Sequence, residues 1–160
     1  MKGISMKLKS LSHWDKRYLQ IAKQISFWSK DPSTQVGAIV IGKHGQVLAQ
    51  GYNGFPRKIN DTIERLKNRE EKYKYTIHAE MNCIYNASLS GISLENGSLY
   101  VYGLPICSEC AKGIIQVGII KVIALFPQKN VSDKWKASSN LSMEMFDEAG
   151  IQYYFEEENQ

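Results

Sequence analysis

The chain has 160 residues, 43% of them apolar and 22% charged, with a formal net charge of +4. That length suits one domain with a sizeable core, and the composition is that of a soluble globular protein, not a disordered or fibrous one. No run of about 18 apolar residues exists, which excludes a membrane-spanning helix, and the basic start (Met1, Lys2, Lys7) lacks the long apolar block of a secretory signal.

Residues 1–11 read as a flexible arm. Ser12 followed by Asp15 is a capping-box pattern, in which two side chains satisfy the free amides of a helix start. After it Trp14, Tyr18, Ile21, Ile25 and Trp28 recur at spacings of four, three, four and three, an apolar stripe predicting a helix of about four turns. Asp31-Pro32-Ser33 ends it, because proline disfavours helix at the residue before it. Residues 36–41 form a short β-branched run, residues 42–45 a turn, and residues 47–52 a returning strand, so the pair reads as a hairpin. Asn53-Gly54-Phe55-Pro56 is a sharp loop. Residues 59–75 are polar and partly helical in pattern, without clear boundaries.

A second helix is predicted from His78 to a stop at Gly91, with a strand at residues 98–102 and a break at Leu104-Pro105. A third helix covers residues 107–117 and closes at Gly118. A buried strand at residues 119–126, a fourth helix at residues 134–149 capped by Gly150, and a last strand at residues 151–155 complete the domain. No internal repeat is present. Strands alternating with helices need crossovers and favour parallel pairing. The expected object is a three-layer α/β/α structure with a mixed sheet of about five strands. It occupies residues 12–155 and is followed by an acidic tail at residues 156–160.

The three cysteines, Cys83, Cys107 and Cys110, are too few for a disulfide framework. Cys107 and Cys110 form a Cys-x-x-Cys, which without a signal peptide points to metal or redox chemistry in the cytoplasm. Three residues apart on a first helical turn, their sulfurs share one side, and a helix start favours thiolates. His78-Ala79-Glu80 also lies where a helix begins. His78 and Glu80 are not on one helical face, yet a non-helical first residue can aim His78 at a metal and Glu80 beside it. One imidazole and two thiolates leave a tetrahedral zinc ion one position for water, whereas structural zinc has four protein ligands. Glu80 is then the group that moves protons. His-x-Glu followed by Cys-x-x-Cys resembles the signature of zinc deaminases acting on nucleobases. The usual Pro-Cys-x-x-Cys is altered here, since Ile106 separates Pro105 from Cys107.

The bland readings differ at each residue. A lone Cys-x-x-Cys is more often structural or redox-active, but neither role explains the His-x-Glu. Cys83 lies on an apolar side and reads as core; His13 and His44 read as solvent-facing. The basic segment at residues 57–74 suits either phosphate attraction or a solvated surface.

Four stretches carry a more specific resemblance. They are residues 29–38 (Ser29-Lys30-Asp31-Pro32-Ser33-Thr34-Gln35-Val36-Gly37-Ala38), residues 51–56, residues 78–82 and residues 107–116. In that order, across about residues 14–155, they resemble the deoxycytidylate (dCMP) deaminase family. The resemblance implies hydrolysis of dCMP to dUMP and ammonia in the supply of thymidylate precursors. It implies Zn2+ on His78, Cys107 and Cys110, with Glu80 as proton shuttle. It places substrate contacts at Asn53, toward the sugar, and at Ala79. The phosphate contacts fall at the end of the first helix, at Ser29 and Lys30. Many relatives have an arginine where this chain has Trp28. The resemblance also implies a homo-oligomer, commonly a hexamer, with dCTP and dTTP as effectors.

Three alternatives stay open on the sequence. One is a deaminase of CMP, free cytidine or deoxycytidine. Another is a deaminase of a nucleic-acid base, although a net charge of +4 with an acidic end argues against a polynucleotide groove. The last is a non-catalytic zinc-binding relative, against which stands the presence of Glu80.

Overall fold

The central strands carry apolar side chains on both faces, so the sheet has to be covered twice. The computed structural model describes residues 3–159. Its strands are β1 (Gly37–Ile41), β2 (Val47–Tyr52), β3 (Ser98–Tyr102), β4 (Lys121–Phe126) and β5 (Gln152–Glu157). They form one sheet in the order β2-β1-β3-β4-β5. β1 runs antiparallel to β2 and β3, while β4 is parallel to β3 and β5. The helices are α1 (His13–Ser26), α2 (Ile63–Lys67), α3 (Arg69–Tyr75), α4 (Ala79–Ser90), α5 (Ser108–Gln116) and α6 (Asp133–Ala149). α5 and α6 are the crossovers that parallel pairing demands.

Alternation along the strands sorts the core into two. Val40, Leu99, Val101 and Val122 face one side, where Cys83 of α4, Ile114 of α5 and Phe146 of α6 pack. Ile39, Ile41, Tyr100 and Ile123 face the other, against Leu19, Ala22 and Ile25 of α1. The result is the expected three-layer mixed α/β/α fold.

Two glycines set how closely the layers approach. A methyl group on Gly37 would lie 2.2 Å from the Ala22 carbonyl oxygen and 2.5 Å from the Ser26 nitrogen. One on Gly51 would lie 2.5 Å from the Cys83 nitrogen and 2.8 Å from the Ala79 oxygen. These contacts are with helix backbone, which cannot swing aside as a side chain can. Thus α1 rests on β1, and the first turns of α4 rest on β2, with no side chain between.

The capping box at α1 is present: Ser12 Oγ accepts from the Asp15 N–H at 3.1 Å, and Asp15 Oδ2 accepts from the Ser12 N–H at 2.9 Å. The expected stripe is different. α1 buries Asp15, Leu19, Ala22, Ile25 and Ser26 and ends at Ser26, short of Pro32, whereas Trp14, Ile21 and Trp28 are exposed. The close approach at Gly37 admits only small residues, Ala22 and Ser26, at the point where helix and strand backbones meet. Asp15 fixes the rotation, because its Oδ1 accepts from Tyr100 Oη at 2.6 Å and from Lys121 Nζ at 3.0 Å.

Both ends of the chain also differ from expectation. Met1 and Lys2 of the predicted arm, and Gln160 of the tail, lie outside the described residues. Farther in, the Leu8 N–H donates to the Tyr153 carbonyl at 2.8 Å and the Tyr153 N–H to the Met6 carbonyl at 3.2 Å, so this part of the arm is docked on β5. Glu156 and Glu157 extend β5, and Glu158 accepts from Lys23 Nζ at 2.9 Å. Both segments find backbone partners or a cation that composition alone does not reveal. Among the described residues no helix is long and apolar enough to cross a membrane.

Replacing Gly51 by alanine is expected to destabilise the protein by about 1–3 kcal/mol, the cost of overpacking a tight core. The readout is an earlier urea midpoint at an unchanged m-value; a midpoint equal to that of the parent would show that α4 is not seated there.

Candidate metal centre and active site

His78 is the N-cap of α4, with φ −66° and ψ 152°, and its side chain caps nothing. Those extended angles turn the ring out of the helix, as the His-x-Glu spacing requires. Cys107 is the N-cap of α5, at φ −75° and ψ 157°, and its sulfur accepts from the Cys110 N–H at 3.3 Å. His78 Nδ1 lies 3.3 Å from both Cys107 Sγ and Cys110 Sγ, and the three donor atoms all lie within 4.8 Å of one another. A zinc tetrahedron with Zn–S of about 2.3 Å and Zn–N of about 2.0 Å has edges of roughly 3.5–3.8 Å. The donor set and its dimensions therefore fit zinc.

Neighbouring loops bring the two helix starts together. Gly54 and Ile77 exchange backbone hydrogen bonds at 3.1 and 2.8 Å, which ties the approach to His78 to the loop after Asn53. On the cysteine side, Ser142 Oγ of α6 donates to the Ile106 carbonyl at 2.9 Å, and the Ser108 N–H donates to Ser138 Oγ at 2.8 Å. The extra residue, Ile106, is wholly buried and leaves Cys107 at the helix start. Ser138 and Ser142, one turn apart, are functional supports that no motif announced.

Local electrostatics suit metal capture. The Cys107 thiol is held down to about 4 by its hydrogen bond with Cys110 and by the His78 ring, against the opposing effect of burial. Cys110 is pushed up by the same bond and by burial, so the two sulfurs share a proton that a metal displaces. His78 is raised, chiefly by Cys107. Cys83, fully buried in the core, is pushed up to about 12 by burial and is inert, as its apolar setting predicted.

A cavity of about 380 Å³ opens beside the donors. His78, Ala79 and Glu80 form one wall, and Trp135 packs on the His78 ring with centroids 5.7 Å apart. Glu80, 3% exposed, is raised above the usual carboxylate range by burial, with the His78 ring opposing. Asn53 is also on the wall. Its Oδ1 accepts from the Val36 N–H at 2.8 Å and its Nδ2 donates to the Thr34 carbonyl at 2.9 Å. Each atom keeps one further hydrogen-bonding position.

Ser29 and Lys30, the expected phosphate contacts, are not on the wall. Ser29 is buried, with its Oγ donating to the Asn53 carbonyl at 2.8 Å and accepting from the Asp31 N–H at 3.3 Å. Lys30 points outward to Asp61 at 2.9 Å. The α2 and α3 segment, left without boundaries by the sequence, supplies a wall instead through Leu66, Lys67, Arg69, Lys72 and Tyr73. Trp135 and Ser132 at the start of α6 were likewise missed, although Ser132 followed by Trp135 is a capping pattern.

The family model for the cytidine and deoxycytidylate deaminase zinc-binding region matches residues 12–126. A deaminase of Aliivibrio fischeri described as uncharacterized is 40% identical over 142 residues, covering 89% of this chain and 92% of that protein. The deoxycytidylate deaminase of Homo sapiens is 34% identical over 145 residues, covering 88% and 78%. Among solved structures, the dCMP deaminase of cyanophage S-TIM5 in complex with dCMP and dUMP superposes with a TM-score of 0.70. It is 22% identical and covers 92% of this chain and 99% of that one, a likeness of fold. The matched stretch holds His78, Glu80, Cys107 and Cys110 together with the sheet that positions them, and the chain belongs to the cytidine and deoxycytidylate deaminase family.

Proposed function

We propose that this protein hydrolyses dCMP to dUMP and ammonia. The observation that carries the reading is the three-donor set opening, beside a buried glutamate, onto a cavity of a mononucleotide's size. Held by His78, Cys107 and Cys110, zinc supplies the acidity that brings water's pKa from 15.7 to about 7.

The protein's own groups do the rest. Glu80, raised above the usual carboxylate range by burial, is the group placed to accept a proton and return it. It takes a proton from the attacking water and delivers it to N3 of the cytosine ring. It then passes the water's second proton to the C4 amine, so that the carbon–nitrogen bond breaks to ammonia and a carbonyl remains. Trp135 offers an apolar wall on which the pyrimidine packs. Asn53, rigidly held by the Thr34 and Val36 backbone, directs its remaining donor and acceptor toward the sugar. Ala79, with no exposed surface, forms the floor next to Glu80. A homo-oligomer is supported by the outward aromatic surface of the first helix and its end, where Trp14, Phe27 and Trp28 are exposed.

Glu80→Gln is expected to retain zinc and to deaminate about 10²–10⁴-fold more slowly, the usual contribution of a general acid–base group. Unchanged ammonia release would remove Glu80 from the mechanism. kcat/KM on dCMP is expected to exceed that on deoxycytidine, because binding of the remote phosphate acts at the reacting centre. Equal values would overturn the nucleotide assignment in favour of a nucleoside enzyme.

A further inference from the structure

We infer that Arg69 and Lys67, on the α2 and α3 segment, bind the substrate's 5′-phosphate and select nucleotide over nucleoside. The inference rests on the mononucleotide reading and gives it a location in the basic segment at residues 57–74, in place of the Ser29 and Lys30 that the family resemblance implied.

Charge on the cavity wall is the first argument. Its carboxylates are Asp31 and Glu80, and its cations are Lys67, Arg69 and Lys72. Asp31 is already matched. Lys72 Nζ lies 3.0 Å from its Oδ1, with both side chains nearly buried, and also donates to Ser33 Oγ at 2.8 Å. The Ser33 and Thr34 N–H groups donate to the same Asp31 oxygen at 2.8 and 3.1 Å. That pair is a neutral strut joining α3 to the 31–34 loop. Glu80 belongs to the proton chemistry. Lys67 and Arg69 remain, exposed and, among the described residues, without a carboxylate at ion-pair distance. Two free positive charges complement a phosphate monoester, which carries about −1.5 to −2 near neutral pH.

Geometry is the second. Arg69 Nε donates to Tyr73 Oη at 3.1 Å, and the guanidinium lies over the Tyr73 ring, 5.3 Å from its centroid. This holds the side chain by one edge and leaves both terminal amino groups for the two-pronged contact that arginine makes with phosphate. α3 separates Arg69 from Tyr75 by about 9 Å along its axis, and only Thr76 and Ile77 then intervene before His78. The reacting base and the charged wall therefore belong to two ends of one cavity, as base and phosphate do in a nucleotide.

The test uses the zinc-loaded full chain, with ammonia release measured on dCMP and on deoxycytidine. In Arg69→Gln the ratio of kcat/KM for dCMP to that for deoxycytidine is expected to fall roughly 10- to 100-fold, the scale of a lost hydrogen bond to a charged group. Lys67→Gln should lower it too, and the double variant further. Arg69→Lys should recover part of the ratio, since the charge remains and the fork does not. If Arg69→Gln and the double variant leave the ratio unchanged while the parent prefers dCMP, or if Lys30→Gln lowers it in their place, the phosphate lies elsewhere and the inference fails. A parent without preference for dCMP would instead overturn the function proposed above.

Discussion

Two helix starts meet at one point because each is held there by backbone. α4 lies on β2 with nothing between them at Gly51, and α5 begins at a loop that Ser138 and Ser142 fasten to α6. Each start places one metal donor at the N-cap, whose angles remain extended, and α5 adds Cys110 from its first turn. An imidazole from one helix and two sulfurs from the other then come within 4.8 Å of one another with no long, adjustable side chain involved. The precision a metal site needs is a consequence of main-chain packing.

Three carboxyls, Asp15 and Glu80 buried and Asp31 nearly so, show how surroundings divide roles among like groups. Burial raises all three, and what faces each decides the outcome. Asp15 receives Tyr100, Ser12 and Lys121, and Asp31 receives the Ser33 and Thr34 amides and Lys72; both end below the usual carboxylate range. Their contribution to stability is complete above the ordinary carboxylate pKa and is lost as pH falls through the lowered values. Glu80 faces the thiol pair and gains too few donors to offset its burial, so it stays high. The two aspartates are fixed charges that hold elements in place, and the glutamate is the one of the three whose protonated form burial favours.

Chemistry was more legible in the sequence than surface. His78, Glu80, Cys107 and Cys110 stood out because local spacing and helix starts fix where such side chains go. All five strands were readable because short runs of β-branched and aromatic residues bounded by turn signals are local as well. The face of α1 was misread: Trp14, Ile21 and Trp28 satisfy a helical period, but the face turned to the sheet is set by Gly37, eleven residues beyond the helix end, and by Asp15 reaching Tyr100 and Lys121. Ser29 and Lys30, where phosphate contacts were expected, lie off the cavity wall for a similar reason. Ser29 is occupied by Asn53 and Lys30 by Asp61, partners that are distant in sequence. The basic charge of residues 57–74 was legible, but the cavity wall that α2 and α3 build there was not, because short polar helices have little apolar period to read.

That last segment separates two tasks in space and in stability. The reacting end of the cavity is made of residues seated in the core: Ala79, Cys110 and Glu80 are almost wholly buried. The far wall comes from two helices of five and seven residues, in which Lys72 is the one buried side chain. So short a pair cannot hold its place through propensity or packing. The ion pair of Lys72 with Asp31, reinforced by Ser33, is what fixes it to the loop that also receives Asn53. Side chains at Lys67 and Arg69 can therefore change without disturbing the core, whereas a change at Gly51 or Ile106 reaches the metal donors directly. Substrate selection and bond cleavage share one cavity, yet they depend on different parts of the fold.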